Sequence, residues 1–577
     1  MRADLGERRL ITRALLCAAA AAFVATPALA ATPSIDTYRL APVIENGKVT
    51  ALSVTITLPA DADGETRLRV PQDWGGGEKL WRFIKDPVVT GGTLSRPDEK
   101  TWTIKSKPRA PLTVRYRVVS AYDGEPPVDS PNYGQPIVGP DGFYVIGHTV
   151  FVTPEGRDDD KARFSWDPAG SGLVFASDLE SLGRETGTVN AISESVAVAY
   201  KDLTLLQRDA AGAPLRLAVR GKFGFTDAAF ADMAAQTITA SRAFWGDGKE
   251  PFLITLVDQD GPTGWTSYRG TGVGDAFAVI STRNVALNDY KLFLAHEYFH
   301  TWNSNRIGGL KDGPEEPLGY WVSEGFTDYY ARKLSLRSGF VDLETFVAAW
   351  NAALEAYGTS PGRALPNAAI AERFWNDKAV HKLPYQRGAL IALLLETRLK
   401  TQGGLDPVML AMRDYAKGRD PAEWDHAAAN LLPRIVKART GVDLTPEIER
   451  WVIKGEPIVL PPDAFGGCLT VEGVSRPEFD VGFDADASAK TGVITGVKPD
   501  GPAYAAGLRD GMKRLGRQGG KPGDSSVEIA YVVEDAGAQR TIRFKPEGKA
   551  MLDFQRVVMP KDLTLEARAA CVKAVAG

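Results

Sequence analysis

The sequence predicts a multidomain protein. An N-terminal all-β region comes first, then a central domain that begins α+β and becomes α-helical, then a smaller C-terminal β module. Three observations carry this reading. Residues 31–213 hold runs of period-two alternation, helical segments dominate from Tyr290 onward, and a Pro/Gly-rich stretch at 454–467 precedes a last β-rich tail. At 577 residues the chain exceeds what one hydrophobic core organises. The expected division is 1–30, 31–213, 214–457 and 458–577.

Residues 1–30 read as a signal peptide. Arg2, Arg8, Arg9 and Arg13 form a basic region, Leu15 to Ala25 an apolar run, and Ala28-Leu29-Ala30 a small-residue cleavage site. The apolar run is too short for a permanent span. Cleavage near Ala30 predicts an exported protein, periplasmic or extracellular, with no stable membrane anchor. Arg8-Arg9 leaves twin-arginine export open beside the general route. The net charge of -4, with no block of Lys and Arg, excludes nucleic acid as an expected partner. Of three cysteines, Cys17 leaves with the signal. Cys468 and Cys571 remain, an even pair in an oxidising compartment, and are expected to form a disulfide bracketing the C-terminal module. Two unlinked, buried thiols are the alternative.

In the first region Leu52, Val54, Ile56 and Leu58 alternate with Ser53, Thr55 and Thr57. Leu112, Val114, Tyr116 and Val118 do the same, which predicts half-buried strands of a sandwich or barrel. His148 stands alone there and reads as structural. In the second region Phe252–Val257 and Phe277–Ile280 read as short buried strands. Asp406-Pro407, Asp420-Pro421 and Thr445-Pro446 each place a capping side chain before a proline, the start signal of a helix.

The chemistry concentrates in 290-YKLFLAHEYFHTWN-303. On a helix, His296 and His300 lie at i and i+4 on one face, where two imidazoles can hold one metal ion. Glu297 sits beside the first of them, within reach of a metal-bound water as general base. The competing reading is an amphipathic helix with two histidines by accident, in a chain with only five. A catalytic zinc site has three protein ligands and an open position. The segment 321-WVSEGFTDYY-330 offers Glu324 as the third, with 23 residues between it and His300. Asp328, one helical turn on, can accept the remaining N–H of a ligating histidine, His296 being the expected partner.

HEYFHTWN, WVSEGFTDYY and PYQRG together resemble the glycyl aminopeptidase family of gluzincin metallopeptidases. The resemblance implies a β-rich N-terminal domain, a thermolysin-like catalytic domain and a C-terminal PDZ domain, with one Zn2+ per chain. It also implies that Tyr385, in Pro384-Tyr385-Gln386-Arg387-Gly388, donates a hydrogen bond to the oxyanion. Such a protein cleaves peptides: Glu297 moves a proton from the attacking water to the leaving nitrogen. One departure stands out. Where the family carries Gly-Gly-Leu-Glu-His, this chain has 272-GVGDA-276, so Asp275 is the available amine anchor, with a simple turn residue as the alternative.

The tail holds 500-DGPAYAAGLRDG-511, which resembles the short helix and turn of bacterial PDZ domains. Val481-Gly482-Phe483 resembles the loop that receives a peptide C-terminus, so Gly482 and Phe483 are candidate binding residues. The leading expectation is an aminopeptidase releasing small residues such as Gly or Ala. A zinc endopeptidase and an inactive peptide-binding scaffold are the alternatives.

Overall fold

The structure is a computed structural model. It describes residues 35–577 except 125–133, 184, 262–265, 310–312, 418–426 and 522. The signal-peptide reading of 1–30, with Cys17, and the Asp420 helix start lie outside the described residues. Among those described, no helix is long and apolar enough to cross a membrane.

The N-terminal region is built from β-sheets. Asp36–Glu45, Lys48–Pro59 and Pro111–Val118 are neighbours in a six-stranded sheet. Their register sets Leu40 opposite Val54 and Val54 opposite Tyr116, so the alternating apolar residues share one buried face. The buried Tyr116 hydroxyl accepts from the Val152 N–H and donates to the Val150 carbonyl, both at 2.9 Å. His148 is structural in its contacts: its ring stacks on Trp74 and its Nε2 lies 3.0 Å from Glu194.

The central sheet has five strands. Their order is Thr204–Asp209, Pro214–Arg220, Phe252–Gln259, Ala276–Thr282 and Tyr268–Val273. The sheet thus begins before residue 214, because the hairpin of the first two strands belongs to it. Every residue of Phe252–Gln259 is buried, as a central strand between parallel neighbours requires. Two helices, Asp227–Trp245 and the histidine helix Asp289–Phe299, cover one face. The N-terminal region covers the other: Tyr144, Ile146, Val196 and Val198 pack with Leu253, Val257 and Ile280. Helices follow, chiefly Gly325–Arg337, Leu343–Thr359 and Leu383–Arg398.

Two expectations about local structure are corrected. Asp406 does open a helix, Asp406–Lys417, but its carboxylate pairs with Lys333, Arg337 and Tyr330. At the third start, Thr445 is itself the first helical residue rather than the cap, and its N–H donates to Asp443 at 2.9 Å.

The stretch 454–467 is not a free linker. Ile458, Leu460, Ala464 and Phe465 are buried in the core of the central domain. Strand Glu547–Val558, paired with Thr470–Phe479, lies along helix Leu343–Thr359. There Asn351 exchanges both its amide hydrogen bonds with the Val557 backbone, at 3.0 and 2.6 Å. Only the part between these strands has its own core, formed by Phe483, Ile494, Leu508, Ile529, Tyr531 and Phe544. The disulfide joins Cys468 to Cys571, Cα atoms 5.5 Å apart, tying the last helix, Leu565–Ala576, to the start of this module. Cys571 sits in the core of the central domain, so the bond pins the module's ends to that domain as well as to each other.

Candidate metal centre

Three donors converge at the C-terminal end of the histidine helix. His296 Nε2 and His300 Nε2 are 3.1 Å apart. Glu324 Oε2 lies 3.2 Å from the first and 3.4 Å from the second. Donors bonded tetrahedrally at 2.0–2.1 Å to one zinc ion are separated by about 3.4 Å. The triangle therefore fits zinc, and it is the one such cluster of His, Cys, Asp and Glu among the described residues.

The supports of each ligand follow from the helices that carry them. Asp328, one turn beyond Glu324, places Oδ1 at 2.9 Å from His296 Nδ1. Arg332, a further turn on, holds its other oxygen at 3.2 Å. That carboxylate fixes which ring nitrogen of His296 faces the donor triangle. His300 Nδ1 lies 3.3 Å from the Asn303 carbonyl and 3.4 Å from Ser304 Oγ. Asn303 is fully buried, and its Nδ2 donates to Val322 O, Ser323 O and Thr327 Oγ1. It ties the end of the histidine helix to the turn that presents Glu324. The HTWN run carried this residue without a role, because its partners lie about twenty positions downstream.

Electrostatics agree with a cation at the triangle. Burial depresses the basicity of His296, but hydrogen bonds to Asp328 and Glu324 outweigh it and carry its pKa to about 10. Glu324 and Asp328 resist their own burial through the histidines and, for Asp328, Arg332, so both stay well below the usual carboxylate range. Burial raises Glu297 above its ordinary value against the pull of His296 and His300, which makes it a stronger base.

Tyr385 arrives from a third helix. Its ring lies 5.8 Å from that of His296, nearly parallel at 18°. Burial and the carboxylates of Glu324, Glu297 and Asp328 push its hydroxyl well above the ordinary value, so it remains a donor. Two glycines set this approach. A Cβ on Gly325 would meet Gly388 Cα at 2.3 Å, and one on Gly388 would meet Trp321 O at 1.9 Å. Only glycine at both positions lets the Glu324 and Tyr385 helices cross so closely. Arg387, fully buried beside them, donates to Arg363 O and Leu365 O.

Two sets of candidates are not brought to this centre. Asp275 sits in the exposed turn between Tyr268–Val273 and Ala276–Thr282. The charges bearing on it are Glu250, Arg306 and Arg242. Arg242 donates to the Tyr298 hydroxyl at 2.7 Å. Tyr298 lies two residues from each histidine, about 200° around the helix, on the face turned away from the metal. Gly482 and Phe483 also depart from their expected use. The Gly482 N–H donates to Asp480 at 2.8 Å, and Phe483 packs into the module core against Tyr531. A helix, Ala485–Thr491, follows them where a peptide-accepting strand is needed, so this geometry forms no carboxylate loop.

Residues 290–379 match the family model described as M61 glycyl aminopeptidase, the family resembled by the metal-site motifs. No curated protein matches the chain by sequence. Among solved structures, the chain is similar to an aminopeptidase N family protein from Idiomarina loihiensis. The TM-score is 0.64 at 15% identity, over 94% of this chain and 100% of the other, which is a likeness of fold. An M1 zinc metallopeptidase from Deinococcus radiodurans aligns at a TM-score of 0.48 and 17% identity, over 74% and 95% of the two chains.

Proposed function

We propose that this zinc metallopeptidase, whose metal-site segment is that of the M61 glycyl aminopeptidase family, is an exported aminopeptidase releasing small N-terminal residues. The observation that carries the reading is the convergence of three helices: His296 and His300, Glu324 with Asp328, and Tyr385 surround one point, with Glu297 beside it. One zinc ion per chain would be held by His296, His300 and Glu324. When bound, it supplies Lewis-acid polarisation of a water molecule and of the scissile carbonyl.

The protein's own groups do the rest. Glu297, made more basic by burial, takes the proton of the attacking water and delivers it to the leaving nitrogen. Tyr385, held protonated, donates to the carbonyl oxygen as negative charge develops there. Asp328 keeps Nδ1 of His296 protonated and Nε2 directed inward.

A small cavity of about 110 Å³ adjoins Glu324, and Gly308, Gly319 and Ala428 contribute to its wall, which favours a short substrate side chain. A zinc endopeptidase is the second reading, favoured by the altered 272–276 stretch and by the placement of Asp275. The 480–546 core is read as a PDZ-like module with a structural role. The test is digestion of a free peptide and its N-acetylated twin, followed by mass spectrometry. Stepwise loss of N-terminal residues from the free peptide alone is expected. Equal internal cleavage of both would replace the aminopeptidase with the endopeptidase.

A further inference from the structure

One charge on the Tyr385 side of the metal centre has no part in the hydrolysis itself. Lys382 is exposed where helix Leu383–Arg398 begins, and its ammonium lies 4.2 Å from the centroid of the Tyr385 ring. Burial acts first on Glu297 and Asp328, and the charge of Lys382 is among those that bear on both. Among the described residues, no carboxylate pairs with this ammonium. We propose that Lys382 binds a carboxylate of the substrate on the leaving side of the cleaved bond. The proposal rests on the aminopeptidase reading and names its substrate class: short or acidic peptides whose carboxylate closely follows the scissile bond.

Charge decides the side. A cation beside Tyr385 repels the free ammonium of a peptide, so the substrate's amine lies away from Lys382. With the scissile carbonyl accepting from Tyr385, the portion beyond the cleaved bond is what approaches Lys382. In a dipeptide the C-terminal carboxylate belongs to the residue that leaves, and an aspartate there offers a second carboxylate on its side chain. An ammonium on a flexible stem can follow either.

The backbone that presents Lys382 is fixed. His381 Nδ1 lies 3.3 Å from the Phe374 carbonyl, and the two rings stack with centroids 4.4 Å apart. The Asp377 side chain accepts from the Ala379 N–H at 2.9 Å, and the Leu383 N–H donates to Val380 O at 3.0 Å. Burial, and then Lys382 itself, lower the basicity of His381, so the positive charge here belongs to Lys382. The Tyr385 ring attracts the ammonium and keeps it over the site.

The experiment uses the full zinc-loaded chain with two substrate pairs: Ala-Ala against Ala-Ala-amide, and Ala-Asp-amide against Ala-Asn-amide. The wild type should show a KM about tenfold lower for the carboxylate member of at least one pair, as for a charge-assisted hydrogen bond in an exposed setting, and high salt should shrink the preference. A preference within the first pair assigns the carboxylate to the substrate's C-terminus, and one within the second assigns it to the side chain after the cleaved bond. Lys382→Met should abolish the preference with zinc content and thermal midpoint unchanged, while Lys382→Arg should keep it. Lys382→Glu should reverse it, and serves if Lys382→Met does not fold. Equal KM within both pairs in the wild type, or a preference that survives Lys382→Met, would overturn this proposal alone. Hydrolysis of none of these substrates, with internal cleavage of a longer peptide, would overturn the aminopeptidase reading and this proposal with it.

Discussion

His296 is asked for three things at once: a donor toward the metal, a protonated nitrogen toward Asp328, and a face for Tyr385. Each neighbour can be removed separately. Asp328→Asn should weaken zinc binding about 10–100-fold, measured by competition with a chelator, because the amide no longer holds the imidazole as a carboxylate does. Glu297→Gln should retain the metal and lose nearly all hydrolysis, since the amide cannot accept the proton of the attacking water. Tyr385→Phe should lower kcat roughly 10²–10³-fold with little change in KM, as for other lost oxyanion donors. An unchanged kcat would reduce Tyr385 to a packing residue. At this scale the sequence was informative where the geometry is local. His296 and His300 share a helical face by spacing alone, and Glu324 with Asp328 repeat the device. Asn303 was silent, because its role depends on how a connection folds back onto the next helix. Asp275 was misplaced for a related reason: its chemistry suits an anchor, but it lies in the turn between two strands, among Glu250, Arg306 and Arg242.

The element that carries most of the arrangement is the crossing of the Glu324 and Tyr385 helices. Gly325 and Gly388 let the two backbones meet, and any side chain at Gly388 strikes Trp321 O. Gly388→Ala should therefore destabilise the fold by about 1–3 kcal/mol and shift Tyr385 away from His296. A fall in thermal midpoint together with a loss of kcat is the expected pair of results. Wild-type values of both would mean that the helices separate without consequence. The Pro384-to-Gly388 motif points to Tyr385 through its resemblance but does not reveal this crossing, because a glycine in a helix has several uses and the sequence does not name its partner. The linker reading of 454–467 failed for a comparable reason. Its prolines and glycines obscured Ile458, Leu460 and Phe465, whose apolar side chains pack in the catalytic core.

Across the whole molecule, the catalytic sheet is closed on one side by the N-terminal region and on the other by helices, and the C-terminal strands grip helix Leu343–Thr359. Arg337 joins the last helix to the helix that follows Glu324, through Ala576 O at 2.6 Å. The disulfide spans 103 residues of sequence. Its removal by Cys468→Ser with Cys571→Ser should cost about 4.7 kcal/mol on the loop-entropy account, read as a lower denaturation midpoint. Non-reducing peptide mapping of the purified protein should recover the Cys468–Cys571 linkage, and two freely alkylatable thiols would exclude it. The order of three parts was legible because strand and helix periods differ along the chain; how the last part is shared with the catalytic core was not, since docking leaves no period of its own.

Zinc content measured by elemental analysis on the purified, folded protein tests the central claim most directly. The account predicts about one zinc per chain in the wild type and in Glu297→Gln, and its loss in His300→Ala. A correctly folded wild type that binds no zinc, even when supplied with it, would contradict the metal centre and the peptidase built on it.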